Sequence, residues 1–460
     1  MHGGELLRYF RHSASVTYVS TLPSASVSMP CISPPCNVSA DLLANRREWH
    51  FVQHSLRELD AFPLLLNRSR NVWKWYLYIQ IKNRLNLEDM ADKLKLKHLN
   101  VSGFKSFSND QGIHLDLGDV NILMGANGAG KSNVVSFFKM LSFMMSGSFQ
   151  EYVARNGSAQ VFLHYGSKVT DTIKGDLFWS NKGISDKYSF SLSYASPDNL
   201  IIVSEELEYT KKESATPYKT SLKAKFQESA LLDTTDRTAI VIRKLLSGCK
   251  VYQFHDTTST APIRQAVRKE FSDYLQAQGN NLAAFLYRLK EFFPENYKRI
   301  ITYVRSVVPQ FSDFYLAPND QGYVLLRWRD QSANDYIFFP DQFSDGSIRF
   351  IALATLLLQP PKMMPPIIIV DEPELGLHPS AIVQLSEMIK DASLHAQVLV
   401  ATQSPLLMDQ FTADEISIVE YDEHSQSSVV TKLSEEGLGE WLEQYTLSEL
   451  WGKNVLGGKP

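Results

Sequence analysis

The apolar positions change period several times along this chain, and those changes mark its elements. Leu94, Leu96 and Leu99 alternate with Lys93, Lys95 and Lys97, as on a half-buried strand. Ile113, Leu115 and Leu117 repeat the pattern after a Gly103-Phe104-Lys105-Ser106-Phe107 segment, which predicts a hairpin-like start. Residues 120–124 are an apolar run, with Asn121 its one polar position, and have the length of a buried strand. A helix follows from near Lys131, its apolar positions at Val134, Val135, Phe137, Phe138, Met140 and Leu141. Short alternating runs at 161–165, 176–179, 188–194 and 200–209 predict antiparallel strands. Residues 263–308 read as helical, with Phe271, Tyr274 and Leu275 on one face, then Leu282, Phe285, Leu286, Leu289 and Phe292. No heptad is sustained there, so no long coiled coil leaves the domain. Residues 325–339 read as a strand pair, and 348–358 as an all-round apolar, hence buried, helix stopped by Pro360 and Pro361. The β-branched run 367–370 predicts a central parallel strand, 380–392 a helix, and 398–402 another buried strand. Late strands are expected at 415–421 and 429–433, and the tail 439–460, with Trp441 and Trp451, as a docked helix.

The first candidate chemistry sits between the buried strand at 120–124 and its helix. Gly125-Ala126-Asn127-Gly128-Ala129-Gly130-Lys131-Ser132-Asn133 has the phosphate-cradling spacing of Gly, four residues, then Gly-Lys-Ser. Glycines let the backbone wrap an anion, and the helix N-terminus faces it. Lys131 supplies a point charge, and the Ser132 hydroxyl is placed for Mg²⁺. The second candidate is the acidic cluster at the end of the β-branched run. Asp371 is placed to hold Mg²⁺, and Glu372 to polarise an attacking water as general base.

These motifs resemble those of ATP-binding-cassette ATPases of the SMC/RecF type, and more closely the compact bacterial ATPases of the RecF-like and OLD-like group without a fused nuclease. The Gly103–Phe107 segment is similar to the motif that opens SMC heads. Ser344-Asp345-Gly346-Ser347 resembles the signature loop, 367–372 the Walker B strand, 374–379 the D-loop and 401–405 the switch segment. The resemblance implies an α/β P-loop fold with a mixed central sheet. An antiparallel β-subdomain and a helical lid are expected between Walker A and the signature motif. It implies ATP and Mg²⁺ as cofactors and a homodimer in which Ser344 and Gly346 of one copy cap the γ-phosphate held by the other. DNA and a separately encoded nuclease or effector are the partners to test, in DNA repair or anti-phage defence; a slow-hydrolysing scaffold is the alternative. Two positions depart from the family. Gln403 stands at the switch histidine, where an amide can bond but cannot take a proton, and His378 stands at the usual D-loop aspartate. The glutamine linking metal to lid stays open among Gln150, Gln160 and Gln253.

Composition narrows the rest. The chain has 460 residues, 44% hydrophobic and 21% charged, ordinary for a globular protein with a large core. A net charge of −4 gives no overall pull toward nucleic acid. A DNA contact would need a local patch such as Lys211, Lys212, Lys219, Lys223 and Lys225, which also reads as a solvated loop. Cys31, Cys36 and Cys249 have neither zinc nor disulfide spacing, so a reducing cytoplasm is the plain reading. The most apolar region, 348–370, is broken by prolines and Lys362, which argues against a membrane span. The expected organisation is an extension at 1–89 and an ATPase domain at 90–460. Its core comprises 90–145 and 340–438, its insertion 146–339, and its tail 439–460. Within 1–89 the Ser- and Pro-rich stretch 13–39 has no period, the piece carrying Trp49, Trp73 and Trp75 has some helical character but no motif, and the segment is net basic while the remainder is net acidic. They are expected to be a disordered extension or the product of an upstream start codon, with Met90 the working start.

Overall fold

A computed structural model describes residues 94–181, 183–211, 216–333 and 335–458. The expectations for 1–89 and for a start at Met90 lie outside these residues, as does Lys212.

Two sheets sandwich one helix. The central sheet has the order β17-β16-β3-β15-β14-β8. Its strands are β3 (Val120–Met124), β8 (Cys249–Tyr252), β14 (Ile367–Asp371), β15 (Gln397–Thr402), β16 (Ile416–Asp422) and β17 (Ser427–Lys432). All pairings are parallel except β16–β17. Every residue of β3, β14 and β15 is buried, which is why these segments read as apolar runs rather than alternations. Their pleat still sorts the side chains. Ile122, Met124, Ile368, Val370, Val398 and Val400 join one core, whereas Leu123, Ile367, Ile369, Leu399 and Ala401 join the other.

The second core is closed by helix α1 (Lys131–Ser146) and the antiparallel sheet β2-β1-β4-β5-β6-β7. Those strands are β1 (Lys95–Ser102), β2 (Ile113–Asp116), β4 (Thr172–Asn181), β5 (Ile184–Ala195), β6 (Asn199–Lys211) and β7 (Tyr218–Leu222). Register against β4 shifts between Leu96 and His98, so burial moves from Leu96 to Leu99 and Val101. Gln397 joins the two sheets: its amide donates to the carbonyls of Leu96 (2.9 Å) and Gly118 (2.8 Å), and accepts from Leu96 N–H at 2.7 Å. Helices α2 (Phe149–Arg155), α3 (Ser158–Phe162) and α4 (Arg237–Ser247) complete this side.

The first core is covered by α5 (Leu282–Phe292), α6 (Pro294–Val307), α7 (Asp345–Leu357) and α8 (Pro379–Ser393). Two small ladders edge this layer. One comprises β10 (Phe311–Tyr315), β12 (Arg327–Asp330) and β13 (Ile337–Phe338), and the other β9 (Val267–Arg268) and β11 (Tyr323–Val324). Helix α7 is buried from Ile348 through Leu357, as its unbroken apolar sequence requires. Short helices at Pro405–Met408, Glu435–Leu438, Trp441–Gln444 and Leu447–Gly452 finish the chain, the last docked through buried Leu447 and Leu450.

Several expectations are corrected. Residues 161–165 are not a strand. Ala159 and Phe162 bury one face of α3, Leu163 makes a single bridge to Phe104, and Val161 and Tyr165 are exposed. Residues 263–281 are not an amphipathic helix, for Phe271 and Tyr274 are exposed. The buried Asn281 amide donates to the carbonyls of Phe271 (2.8 Å) and Tyr274 (2.7 Å) and accepts from Gln276 N–H (2.9 Å), which holds a loop instead. The division into core and insertion also shifts. Strand β8, from within 146–339, belongs to the central sheet, while β1 and β2, from before the phosphate loop, begin the antiparallel sheet. Among the described residues no helix is long and apolar enough to cross a membrane.

Candidate active site

Parallel strands β3, β14, β15 and β8 end on one side of the central sheet, and their following residues converge there. After β3 the chain turns through Gly125 to Gly130. Gly130 has φ 113°, a conformation closed to most side chains, and caps the N-terminus of α1. Lys131 is 5% exposed and folds back over its own loop, donating to the carbonyls of Gly125 (2.6 Å) and Ala126 (2.8 Å). Burial lowers its pKa, opposed by the charges of Glu372, Asp371 and Glu374. Ser132, Asn127 and Gly128 are exposed at the loop surface. Asn133 donates to Ser106 Oγ at 2.7 Å, and the Ser428 hydroxyl holds the Ala129 carbonyl at 2.6 Å. The tail reaches the loop too, for Ala126 N–H donates to the Gly458 carbonyl at 3.0 Å.

Asp371 closes β14 with its carboxyl 6% exposed. Oδ2 accepts from Gln253 Nε2 at 3.1 Å, while Oδ1 is buried without a hydrogen-bond partner among the described residues. Burial raises its pKa, partly offset by the Gln253 bond. Glu372 follows at φ 45°, unusual for a residue with a side chain and a form of strain that clusters at functional sites. Its N–H donates to Ala401 O at 2.8 Å, and its Oε1 faces Gln403 Nε2 at 3.4 Å. Glu374 Oε1 accepts from Thr402 Oγ1 (2.6 Å) and Gln403 N–H (3.1 Å), fixing the residues after β15. Its Oε2 is a second buried oxygen without a hydrogen-bond partner among the described residues, and burial raises the pKa of Glu374.

Of the three glutamines left open by the sequence, only Gln253 stands here. Gln150 bonds the carbonyls of Leu200 and Gln227, and Gln160 bonds Ser167, both away from β14. His255 Nε2 adds a bond to the Asp371 carbonyl at 2.9 Å.

Ser344 and Gly346 make no hydrogen bond to the phosphate loop among the described residues. Ser344 caps α7, its Oγ accepting from Ser347 N–H at 3.1 Å, and stays exposed. Gly346 packs so closely on the loop after Glu372 that a Cβ there would stand 2.4 Å from the Gly376 carbonyl. Two buried arginines that no motif marks brace the site, Arg349 holding this loop and Arg264 the segment that leads into α7. Arg349 donates to the carbonyls of Phe254 (2.9 Å), His255 (3.1 Å) and Leu375. Arg264 donates to the carbonyls of Thr257 (2.8 Å), Pro340 and Phe343 (3.1 Å), and pairs with Asp345 at 2.8 Å. His378 caps α8, its Nδ1 accepting from Ser380 N–H at 3.3 Å.

Beside the phosphate loop lies an open pocket of about 410 Å³ lined by Lys105, Ser106, Asn133, Val161, His164, Tyr165 and Tyr421. Lys105 donates to Ser136 Oγ at 2.6 Å, and the Tyr165 and Tyr421 hydroxyls meet at 2.7 Å. The lysine patch is less free than its sequence implied. Lys219 pairs with Glu208, Lys225 with Asp233, and Lys211 also has a partner.

Residues 262–409 match the family model described as an AAA domain, putative AbiEii toxin, type IV TA system. No curated protein matches the chain. Solved structures similar to it include an Smc head bound to the C-terminal winged-helix domain of ScpA (17% identity, 76% of this chain and 99% of that one, TM-score 0.49). An Smc head with an extended coiled coil bound to the C-terminal domain of ScpA, derived from Pyrococcus furiosus, is 16% identical over 76% of this chain and 99% of that one (TM-score 0.48). The SMC head domain from Thermotoga maritima is 15% identical over 74% and 99%, with a TM-score of 0.40.

Proposed function

We propose that this chain, an SMC/RecF-type P-loop head in fold, binds ATP with Mg²⁺ and hydrolyses it as a homodimer sharing two nucleotides. The observation that carries the reading is the convergence of Lys131, Gln253, Asp371, Glu372 and Gln403 at four strand ends. The amides of 126–133 cradle the phosphates, and Lys131 exchanges the carbonyls of Gly125 and Ala126 for them. The buried Asp371 oxygen without a hydrogen-bond partner among the described residues, with the Ser132 hydroxyl that follows Lys131 in the motif, is a hard-oxygen set that suits Mg²⁺. When bound, Mg²⁺ neutralises charge on the phosphates. Gln253 holds the other Asp371 oxygen, so Oδ1 keeps one direction. Glu372 takes the proton of the attacking water, and Gln403 orients that carboxylate without titrating.

Ser344 and Gly346, displayed on α7 and exposed at Ser344, complete the site of a second copy. Mixing tests this directly. Lys131→Ala and Ser344→Arg proteins are each inactive alone, while their mixed dimer has one intact composite site and regains up to about a quarter of wild-type turnover on random pairing. A mixture as inactive as its components overturns the shared site. We place the activity in DNA maintenance or anti-phage defence, with a separately encoded nuclease or effector as partner. Gln403 favours a second reading, a slow-hydrolysing switch, because its amide cannot accept the proton that a histidine would. A single-turnover rate far below the rate of dimer assembly would select it.

A further inference from the structure

We propose that His98, His114 and Asp116 bind one divalent ion of the zinc class on the outer face of the β1–β2 hairpin. The strand pair builds the site. Ile113 and Leu115 bury one face of β2, so the pleat turns His114 and Asp116 to the other. Antiparallel register then sets His98 opposite Asp116 and Asn100 opposite His114. His98 Nδ1 lies 2.6 Å and His114 Nε2 2.9 Å from the same Asp116 Oδ1, and the three donor atoms lie within 4.8 Å of one another. Ligands bound at about 2.0–2.2 Å around a tetrahedral ion stand roughly 3.4 Å apart, which small side-chain rotations supply here. Two imidazoles and one carboxylate suit zinc, cobalt or nickel better than magnesium or calcium, and leave a fourth position for water.

Asn100 provides the second observation. His114 Nδ1 is 2.6 Å from Asn100 Oδ1, an oxygen that only accepts, so Nδ1 is the donor of that bond. The ring's other nitrogen, Nε2, is thereby left facing the Asp116 carboxylate. Asn100 is the outer partner that orients His114 as a ligating imidazole. The ring of His98 is braced by Phe178 at 5.5 Å and His114 at 5.7 Å. None of these residues belongs to the phosphate site, and the ion's role is to staple β1 to β2.

The test uses tag-free full-length protein, stripped with chelator and titrated with Co²⁺ as a visible probe of Zn²⁺. One equivalent is expected to give the d–d absorption of a four-coordinate site, to be displaced by Zn²⁺, and to raise the melting temperature reversibly to EDTA. His98→Ala and His114→Ala lose the absorption, and Asp116→Asn weakens binding by about tenfold or more. His424→Ala keeps it, as does the Cys31→Ser, Cys36→Ser double variant, which removes thiols as the source. Circular dichroism confirms that each variant is folded. Absence of one-equivalent binding, or unchanged binding in the His98→Ala, His114→Ala double variant, overturns the proposal. So does an NMR titration showing His114 doubly protonated at neutral pH with no response to Zn²⁺, which would assign the cation to a proton.

Discussion

Replacing Arg349 with lysine should separate turnover from nucleotide binding. The side chain is 5% exposed and its fork reaches three backbone carbonyls, at Phe254, His255 and Leu375. Burial lowers its pKa, opposed by Asp345, so its charge is held by these contacts rather than by water. A hydrogen bond to a charged group is worth about 1.5–3 kcal/mol, and a lysine ammonium at this depth reaches one or two of the three acceptors. The loss is therefore about 2–5 kcal/mol, against a total stability of roughly 5–15 kcal/mol. At about 2–4 °C per kcal/mol the melting temperature falls by several degrees or more. The chemical effect follows from where the carbonyls lie. Phe254 follows Gln253, and Leu375 lies three residues after Glu372, so both flanks of the acidic site loosen. A misplacement of about 1 Å costs on the order of 10²-fold in rate. Expected values are a fall in ATPase kcat of about 30- to 100-fold and a nucleotide Kd within about threefold of wild type, since the phosphate loop is untouched. Melting by calorimetry, phosphate release and fluorescent-nucleotide titration read the three quantities. A kcat within about threefold of wild type despite the lower melting temperature would reduce Arg349 to packing, and an unchanged melting temperature would deny the three bonds altogether.

Other expectations are simpler. Lys131→Ala removes the cation facing Asp371, Glu372 and Glu374, and titration should show no tight ATP binding. Gly346→Ala puts a Cβ 2.4 Å from Gly376 O, so the signature loop must shift; binding to the single chain persists while ATPase activity falls by about tenfold or more. Asp186 is buried with Oδ1 unpartnered among the described residues, and burial pushes its carboxyl up to about 7. The folded chain then binds the extra proton between about pH 4 and 7, so this group's contribution falls as pH rises through that window. Asp186→Asn should flatten that slope and raise stability above pH 7 by about 2–4 kcal/mol in denaturant titrations; a parallel pH profile would refute the burial argument.

The central sheet was legible because its strands are buried on both faces. Runs such as Ile367 to Val370 have no polar position to confuse the period, and they end in the residues that face the phosphate loop. The antiparallel sheet was legible through alternation, as at Tyr188, Phe190 and Leu192. Legibility failed where side chains serve the backbone. Asn281 supports a loop whose apolar spacing imitates a helix, and Ala159 with Phe162 makes a helix too short to show its period. Gln253 could not be chosen by sequence, because its place depends on β8 pairing beside β14, a contact between segments more than a hundred residues apart. Arg264 and Arg349 were invisible for the same reason, since most of their partners are carbonyls of distant segments, which carry no sequence signal.

The measurement closest to the central claim is the light-scattering mass of the Glu372→Gln protein in ATP and Mg²⁺. The amide keeps the shape of the side chain and loses the base, so nucleotide binds and stays. The predicted result is a long-lived species of twice the 52.1 kDa chain mass, formed with ATP and absent with ADP, while the wild-type protein returns to monomer as ATP is consumed. A Glu372→Gln protein that binds ATP yet remains at 52.1 kDa, or that releases phosphate at the wild-type rate, would contradict it.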